Sequence, residues 1–291
     1  MTKSVASSER AKPASPFDLT GKVAVVTGAT KGIGLGIARG LARQGCRLVI
    51  SSRHLAECER AAAELNTEFG DGAVVAKPVA CDIDRLDDIS RMTGLAQAAF
   101  GGVDILVCNA AALSFTGPAE TTPPAVFERL LSTNIHHNFR LCEGLRPEIA
   151  KRGGGSIILI GSMAGESASP NMLAYGVAKA GVSHMALSLA DEMASDNIRV
   201  NCIAPGLIRT HASRPVWRKG QLLKTIVDSI PLQRIGEPED VAGVVVFLVS
   251  QAGAYVTGQT ILVDGGWTRL SPPRFAASPG FVDVAADLNK R

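Results

Sequence analysis

Seven short runs of β-branched and aliphatic residues, separated by longer stretches of helical periodicity, limit this chain to few folds. The runs are Val23–Thr27, Leu48–Ser52, Val74–Val79, Ile105–Cys108, Ile157–Ile160, Arg199–Ile203 and Thr260–Val263. Five of them are nearly all apolar, as strands covered on both faces are. Helical patterns fill the gaps at Ile33–Gln44, Leu55–Phe69, Leu86–Phe100, Ala125–Lys151, Ala174–Ala194 and Pro238–Ser250. Alternation of this kind builds right-handed βαβ crossovers, and hence a parallel, doubly wound sheet with helices on both faces. The expected α/β fold is one sheet of seven strands in the order 3-2-1-4-5-6-7.

No linker or repeat divides the pattern, so residues 17–270 of the 291 read as one Rossmann-type domain. Residues 1–16, rich in Ser, Ala and charge, and residues 271–291, with Pro272, Pro273 and Pro279, read as tails. The net charge of +3 comes without a dense basic block, and aromatics make up only 4%. Neither suits a nucleic-acid partner. The longest apolar run, Val241–Val249, falls far short of the roughly 20 residues a membrane span needs, and reads as a buried helix. Cys46, Cys58, Cys81, Cys108, Cys142 and Cys202 form no CxxC pair, which favours reduced thiols over disulfides or a metal site. Met1–Pro16 lacks the apolar core of a signal peptide, so a cytoplasmic location is expected.

The first strand runs into Thr27-Gly28-Ala29-Thr30-Lys31-Gly32-Ile33-Gly34 and then into a helix. Glycines there let backbone N–H groups approach a pyrophosphate, to which the helix N-terminus offers partial positive charge. The spacing departs from plain GxGxxG, and an ordinary strand–helix turn can carry such glycines. Placement after the first strand and before an apolar helix favours a dinucleotide. Gly28, Thr30, Lys31, Gly32, Ile33 and Gly34 are its candidate contacts. The second strand ends in Ser51-Ser52-Arg53-His54, with no carboxylate before Glu57. An acid there would hold the ribose 2′-OH of NAD, whereas Arg53 can grip the 2′-phosphate of NADP through two parallel hydrogen bonds. Lys31 adds a second positive charge, so NADP(H) is favoured over NAD(H).

The most specific constellation is Tyr175-Gly176-Val177-Ala178-Lys179, with Ser162 thirteen positions earlier at the end of the fifth strand. Residues i and i+4 share a helix face, so Tyr175 and Lys179 point the same way. The nearby ammonium is expected to stabilise the phenolate and lower its titration from near pH 10. His136 and His137 diverge by about 100° on a helix and are expected on its surface rather than on a metal.

Several motifs together resemble the non-extended branch of the short-chain dehydrogenase/reductases. They are TGxxxGxG at Thr27–Gly34, Cys108-Asn109-Ala110-Ala111 in the place of NNAG, and the Ser162, Tyr175 and Lys179 set. Val263-Asp264-Gly265-Gly266 closes the match, which covers about residues 17–266. The resemblance implies Asn134 as a fourth catalytic residue, anchoring a water that relays protons to Lys179. It makes Ser162 the partner of the substrate oxygen, Tyr175 the proton donor or acceptor, and Lys179 the residue that tunes Tyr175 and holds the nicotinamide ribose. It places Asp82, Ile83, Asn109 and Ala110 on the adenosine side, and Pro205, Gly206, Ile208 and Thr210 beside the nicotinamide. It also implies a lid at about 207–230 and a homo-oligomer, tetramer or dimer.

A softer resemblance, through Ser51-Ser52-Arg53, Gly206-Leu207-Ile208 and Ile235–Asp240, is to NADP(H)-dependent carbonyl reductases. The expected function is hydride transfer between NADP(H) and a small carbonyl or secondary alcohol. A 3-oxoacyl-carrier or NAD-dependent alcohol dehydrogenase of the same mechanism, or a non-catalytic dinucleotide sensor, are the alternatives. The basic segment 209–224 around Trp217 would suit an anionic substrate or simply be a solvated loop.

Overall fold

Seven parallel strands lie in one sheet in the order β3-β2-β1-β4-β5-β6-β7, as expected. The computed structural model describes residues 15–112, 117–218 and 220–270, without the side chain of Leu270. The strands are β1 (Val23–Thr27), β2 (Arg47–Ser52), β3 (Ala76–Ala80), β4 (Ile105–Cys108), β5 (Gly155–Ile160), β6 (Ile198–Pro205) and β7 (Thr260–Val263). The expected C-terminal extension and most of the N-terminal tail lie outside the described residues. Within that tail, Pro16 is already docked, its carbonyl accepting from Ala252 N–H at 3.0 Å.

Side chains on a strand alternate between faces, and the core follows that period. Ala24 and Val26 of β1, with Leu48 and Ile50 of β2, enter one layer. That layer is covered by α1 (Gly32–Arg43), α2 (Leu55–Phe69) and α10 (Pro238–Val249). Val25 and Val49 enter the opposite layer, under α3 (Leu86–Phe100), α5 (His137–Lys151) and α7 (Leu173–Glu192). The chain leaves β1 toward β2 on one side, while β4 pairs with β1 on the other. A crevice therefore opens beyond the carboxyl ends of β1 and β4, where ligands of such sheets bind. At the opposite edge, buried Asp104 holds Lys22 at 3.1 Å, Arg152 at 3.0 Å and the Val23 N–H at 2.9 Å.

Two elements depart from the periodicity. The strand expected at Val74–Val79 begins at Ala76, because the Asn66 side chain takes the N–H groups of both Val75 and Ala76. The single helix expected over Ala125–Lys151 is two, α4 (Pro124–Leu131) and α5, joined by a π-turn at Ser132–His136. The wide turn lets the Asn134 side chain leave the helix ladder, while Asn138 Nδ2 donates to the Asn134 carbonyl at 2.8 Å. It also turns His137 inward. That residue is buried with Nε2 3.1 Å from Ser132 Oγ, so only His136 lies on the surface as expected.

Candidate active site

Thr27 ends β1 and ties the glycine loop to β4. Its hydroxyl accepts from the N–H groups of Asn109 and Ala110, both at 3.0 Å. Asn109 returns the connection, its Nδ2 donating to the carbonyls of Thr27 at 2.9 Å and Gly28 at 3.2 Å. The side chain named for the adenosine side thus also shapes the loop. Gly28 has φ of +63°, which favours glycine, and a Cβ on Gly34 would stand 2.3 Å from the Gly28 carbonyl oxygen. The loop delivers the chain to the N-terminus of α1 with no acidic residue in the first turn to cancel the helix dipole. Ile33, in that turn, packs partly against the core.

Beside this loop lies a cleft of about 520 Å³. Gly28, Thr30, Lys31, Arg53, Asp82, Ile83, Asn109 and Ala110 all line it, so the expected adenosine-side residues come together. A closely approachable loop, an unneutralised helix N-terminus and adjacent cations form a site that fits a dinucleotide pyrophosphate. Arg53 is exposed and has no ion pair among the described residues. Lys31 lies 3.9 Å from Glu57, which also accepts from Thr30 Oγ1 at 3.3 Å. Asp82 takes the Asp84 N–H at 3.1 Å, serving as a turn cap as well as a cleft wall.

The sequence reading missed Asp84, Arg129 and Thr133. They close the cleft's far wall, where Asp84 accepts from Arg129 Nη2 at 2.8 Å and from Thr133 Oγ1 at 2.5 Å. Arg129 and Thr133 are four residues apart around the end of α4, a spacing that could have signalled a shared face. Next to Thr133, buried Asn134 clamps the chain leaving β4: its Oδ1 accepts from Ala112 N–H at 3.0 Å and its Nδ2 donates to Ala112 O at 3.1 Å. Ala112 lines the cleft and packs in one small cluster with Tyr175.

Ser162 follows β5 and caps the short helix α6 (Met163–Glu166), its Oγ accepting from Ala164 N–H at 3.2 Å. Tyr175 and Lys179 lie on α7 as the spacing requires. Lys179 is 2% exposed, donates to the Ile160 carbonyl at 2.7 Å, and has its nitrogen 5.7 Å from the Tyr175 ring centre. Burial lowers its titration to about 8. Tyr175 departs from expectation: burial pushes its phenol up, and the neighbouring Ser162 hydroxyl only partly draws it back. The ammonium donates to a backbone carbonyl, and the expected lowering by Lys179 does not appear.

On the side expected to face the nicotinamide, Pro205 ends β6 and Gly206 N–H reaches the Val263 carbonyl at 3.0 Å. Ile208 is buried and bridges to Gly236. Thr210 touches the glycine loop, since a Cβ on Gly32 would stand 3.2 Å from its methyl. The segment expected to act as a lid contains α8 (Arg214–Trp217) and α9 (Gly220–Ser229). Most of its described cations are engaged within the protein: Arg209 with Glu237, Lys224 with Asp228, and Arg209 and Arg218 near the Trp217 ring. Among the described residues no cluster of His, Cys, Asp and Glu could hold a metal, and no helix is long and apolar enough to cross a membrane.

A family model described as enoyl-(acyl carrier protein) reductase, named adh_short_C2, matches residues 28–268. Dehydrogenase/reductase SDR family member 4 of Bos taurus is 42% identical over 248 residues, covering 85% of this chain and 88% of its own. L-sorbose reductase from Gluconobacter frateurii, solved with NADPH and L-sorbose, is 32% identical with a TM-score of 0.81, covering 88% of this chain and 99% of its own. A 7α-hydroxysteroid dehydrogenase, solved with NADH and 7-oxo glycochenodeoxycholic acid, is 35% identical with a TM-score of 0.82, covering 88% and 98%. The family model, these relatives and the seven-stranded sheet together show that the chain belongs to the short-chain dehydrogenase/reductases, as an NAD(P)-dependent oxidoreductase acting on CH–OH groups.

Proposed function

We infer that the chain reduces a small carbonyl compound to its secondary alcohol, or runs the reverse, with NADP(H) as its dinucleotide and Tyr175 as the acid/base. The observation that carries this is the grouping of Ser162, Tyr175 and buried Lys179 against Ala112, which lines a cleft that also holds Arg53, a residue with no ion pair among the described residues. The dinucleotide, when bound, supplies or takes up the hydride. Ser162 orients the carbonyl oxygen by donating a hydrogen bond, and Tyr175, kept protonated by burial, gives that oxygen its proton. Lys179 holds positive charge beneath them, and Asn134 fixes the β4 exit that forms the floor.

The two solved relatives described above carry different dinucleotides, so the NADP(H) preference rests on this chain's own Arg53 and Lys31. Arg53 matters more, because Glu57 offsets part of the Lys31 charge. The engaged lid cations weigh against a carrier-bound or other anionic substrate. The intact Ser162, Tyr175, Lys179 and Asn134 set weighs against a silent sensor. Six free, buried thiols fit a reducing compartment such as the cytoplasm, and the working unit by family resemblance is a homo-oligomer, tetramer or dimer.

A panel of neutral ketones and aldehydes, followed by absorbance of the reduced nicotinamide, tests the reading. We expect kcat/KM to be higher with NADPH than with NADH. Arg53→Asp is expected to lower the NADPH value by about tenfold or more and leave the NADH value within about twofold, since the carboxylate repels the 2′-phosphate. An equal loss with both dinucleotides contradicts the assignment of Arg53.

A further inference from the structure

Between β6 and α9 one residue is tied from two later positions in the chain. Thr210 donates its N–H to Ser213 Oγ at 3.1 Å, and its hydroxyl lies 3.2 Å from the same oxygen. Ser213 Oγ in turn donates to the Ile208 carbonyl at 2.5 Å. The Thr210 carbonyl accepts from Trp217 Nε1 at 3.0 Å. The bond spans seven residues, so it holds the segment folded back on itself. The Trp217 ring is held in turn: the Arg209 and Arg218 guanidinium carbons lie 5.3 Å and 5.9 Å from its centre. Arg209 is itself fixed, through Glu237 at 2.8 Å and through its N–H to the Gly236 carbonyl at 2.8 Å.

The knot sits across the dinucleotide loop. The Thr210 methyl touches Gly32, and two residues on, Ala212 lines the same cleft as Gly28, Thr30 and Lys31. Behind the loop, Trp217, Thr210 and Gly32 share the wall of a second cavity of about 290 Å³. Two of the arginines in the basic segment that suited an anionic substrate, Arg209 and Arg218, lie against the indole instead.

We propose that Ser213 and Trp217 are positioning residues that latch Thr210–Ala212 across the glycine loop, and that the latch sets how long a bound dinucleotide stays. It rests on the reading of the cleft as an NADP(H) site. A dinucleotide leaving past Ala212 requires that segment to lift, and lifting it breaks the bonds made by Ser213 and Trp217. Loss of either partner therefore speeds release and leaves the Ser162, Tyr175 and Lys179 geometry intact.

The test is stopped-flow displacement of NADPH by excess NADP⁺, following the fluorescence of the reduced nicotinamide, on the full-length chain. Ser213→Ala and Trp217→Phe are each expected to raise the dissociation rate about five- to tenfold, the equivalent of one lost hydrogen bond. Their association rates should rise as well, since entry crosses the same segment, their melting temperatures should stay near wild type, and Ser213→Thr, which keeps the hydroxyl, should restore slow release. Wild-type dissociation rates in both Ser213→Ala and Trp217→Phe overturn the latch. Failure of the wild-type chain to bind NADPH overturns the cofactor reading itself, and the latch with it.

Discussion

At Lys179 the proposed mechanism uses a charge that the fold resists. The ammonium is 2% exposed with one described hydrogen bond, to the Ile160 carbonyl. Its titration in the fold, about 8, lies below the ordinary 10.5. Below pH 8 the folded chain therefore carries a buried charge that the unfolded chain would hydrate. Between 8 and 10.5 the folded amine is neutral while the unfolded one still binds a proton, so this penalty fades as pH rises. Lys179→Met, similar in length and uncharged, should melt higher than wild type at pH 7, with the gap closing toward pH 10.5, and should lose turnover. A variant less stable than wild type at pH 7 contradicts the buried-charge account. Spacing alone put Lys179 on the face of Tyr175. It did not reveal the direction of the Tyr175 shift, because burial depends on what packs against α7 from distant parts of the chain.

At the scale of elements, what was legible followed from period and what was not followed from side chains that leave their own helix or strand. Three of the seven strand runs coincide with the observed strands, and three more lie wholly within them with end points no more than two residues away. The helix over Ala125–Lys151 was read as continuous because its apolar period barely falters at Ser132–His136. Only the Asn134 clamp on Ala112, a contact between separate elements, shows why it breaks there. A similar contact joins α6 to α7. Ser183 Oγ donates to Glu166 Oε1 at 2.6 Å, so the turn that carries Ser162 is clipped to the helix that carries Tyr175. Glu166→Ala is expected to lower kcat about fivefold, the rate equivalent of roughly 1 kcal/mol, with dinucleotide affinity unchanged. Glu166→Gln keeps the accepting oxygen and should recover most of the rate. A rate in Glu166→Ala equal to wild type removes the clip from the account.

Taken whole, the molecule separates its tasks between the two ends of one sheet. The amino-terminal edge is closed by Asp104 with Lys22 and Arg152, far from any cleft residue. The carboxyl-terminal edge gathers loops from β1, β2, β3, β4, β5 and β6 around the switch point between β1 and β4. Strand order was legible because βαβ handedness and chain order leave few alternatives. The internal bonding of the basic segment at 209–224 was not, because cations on a short segment look alike in sequence whether they meet a ligand or an indole. On the proposed function, proton transfer depends on one phenol while dinucleotide binding depends on the glycine-loop wall of the cleft, so the two should separate cleanly. The direct measurement is Tyr175→Phe, assayed for carbonyl-dependent NADPH oxidation and, on the same preparation, for NADPH affinity by fluorescence titration. Turnover should fall by several orders of magnitude while affinity stays within about threefold of wild type. Turnover near the wild-type rate would contradict the assignment of Tyr175 as the acid/base.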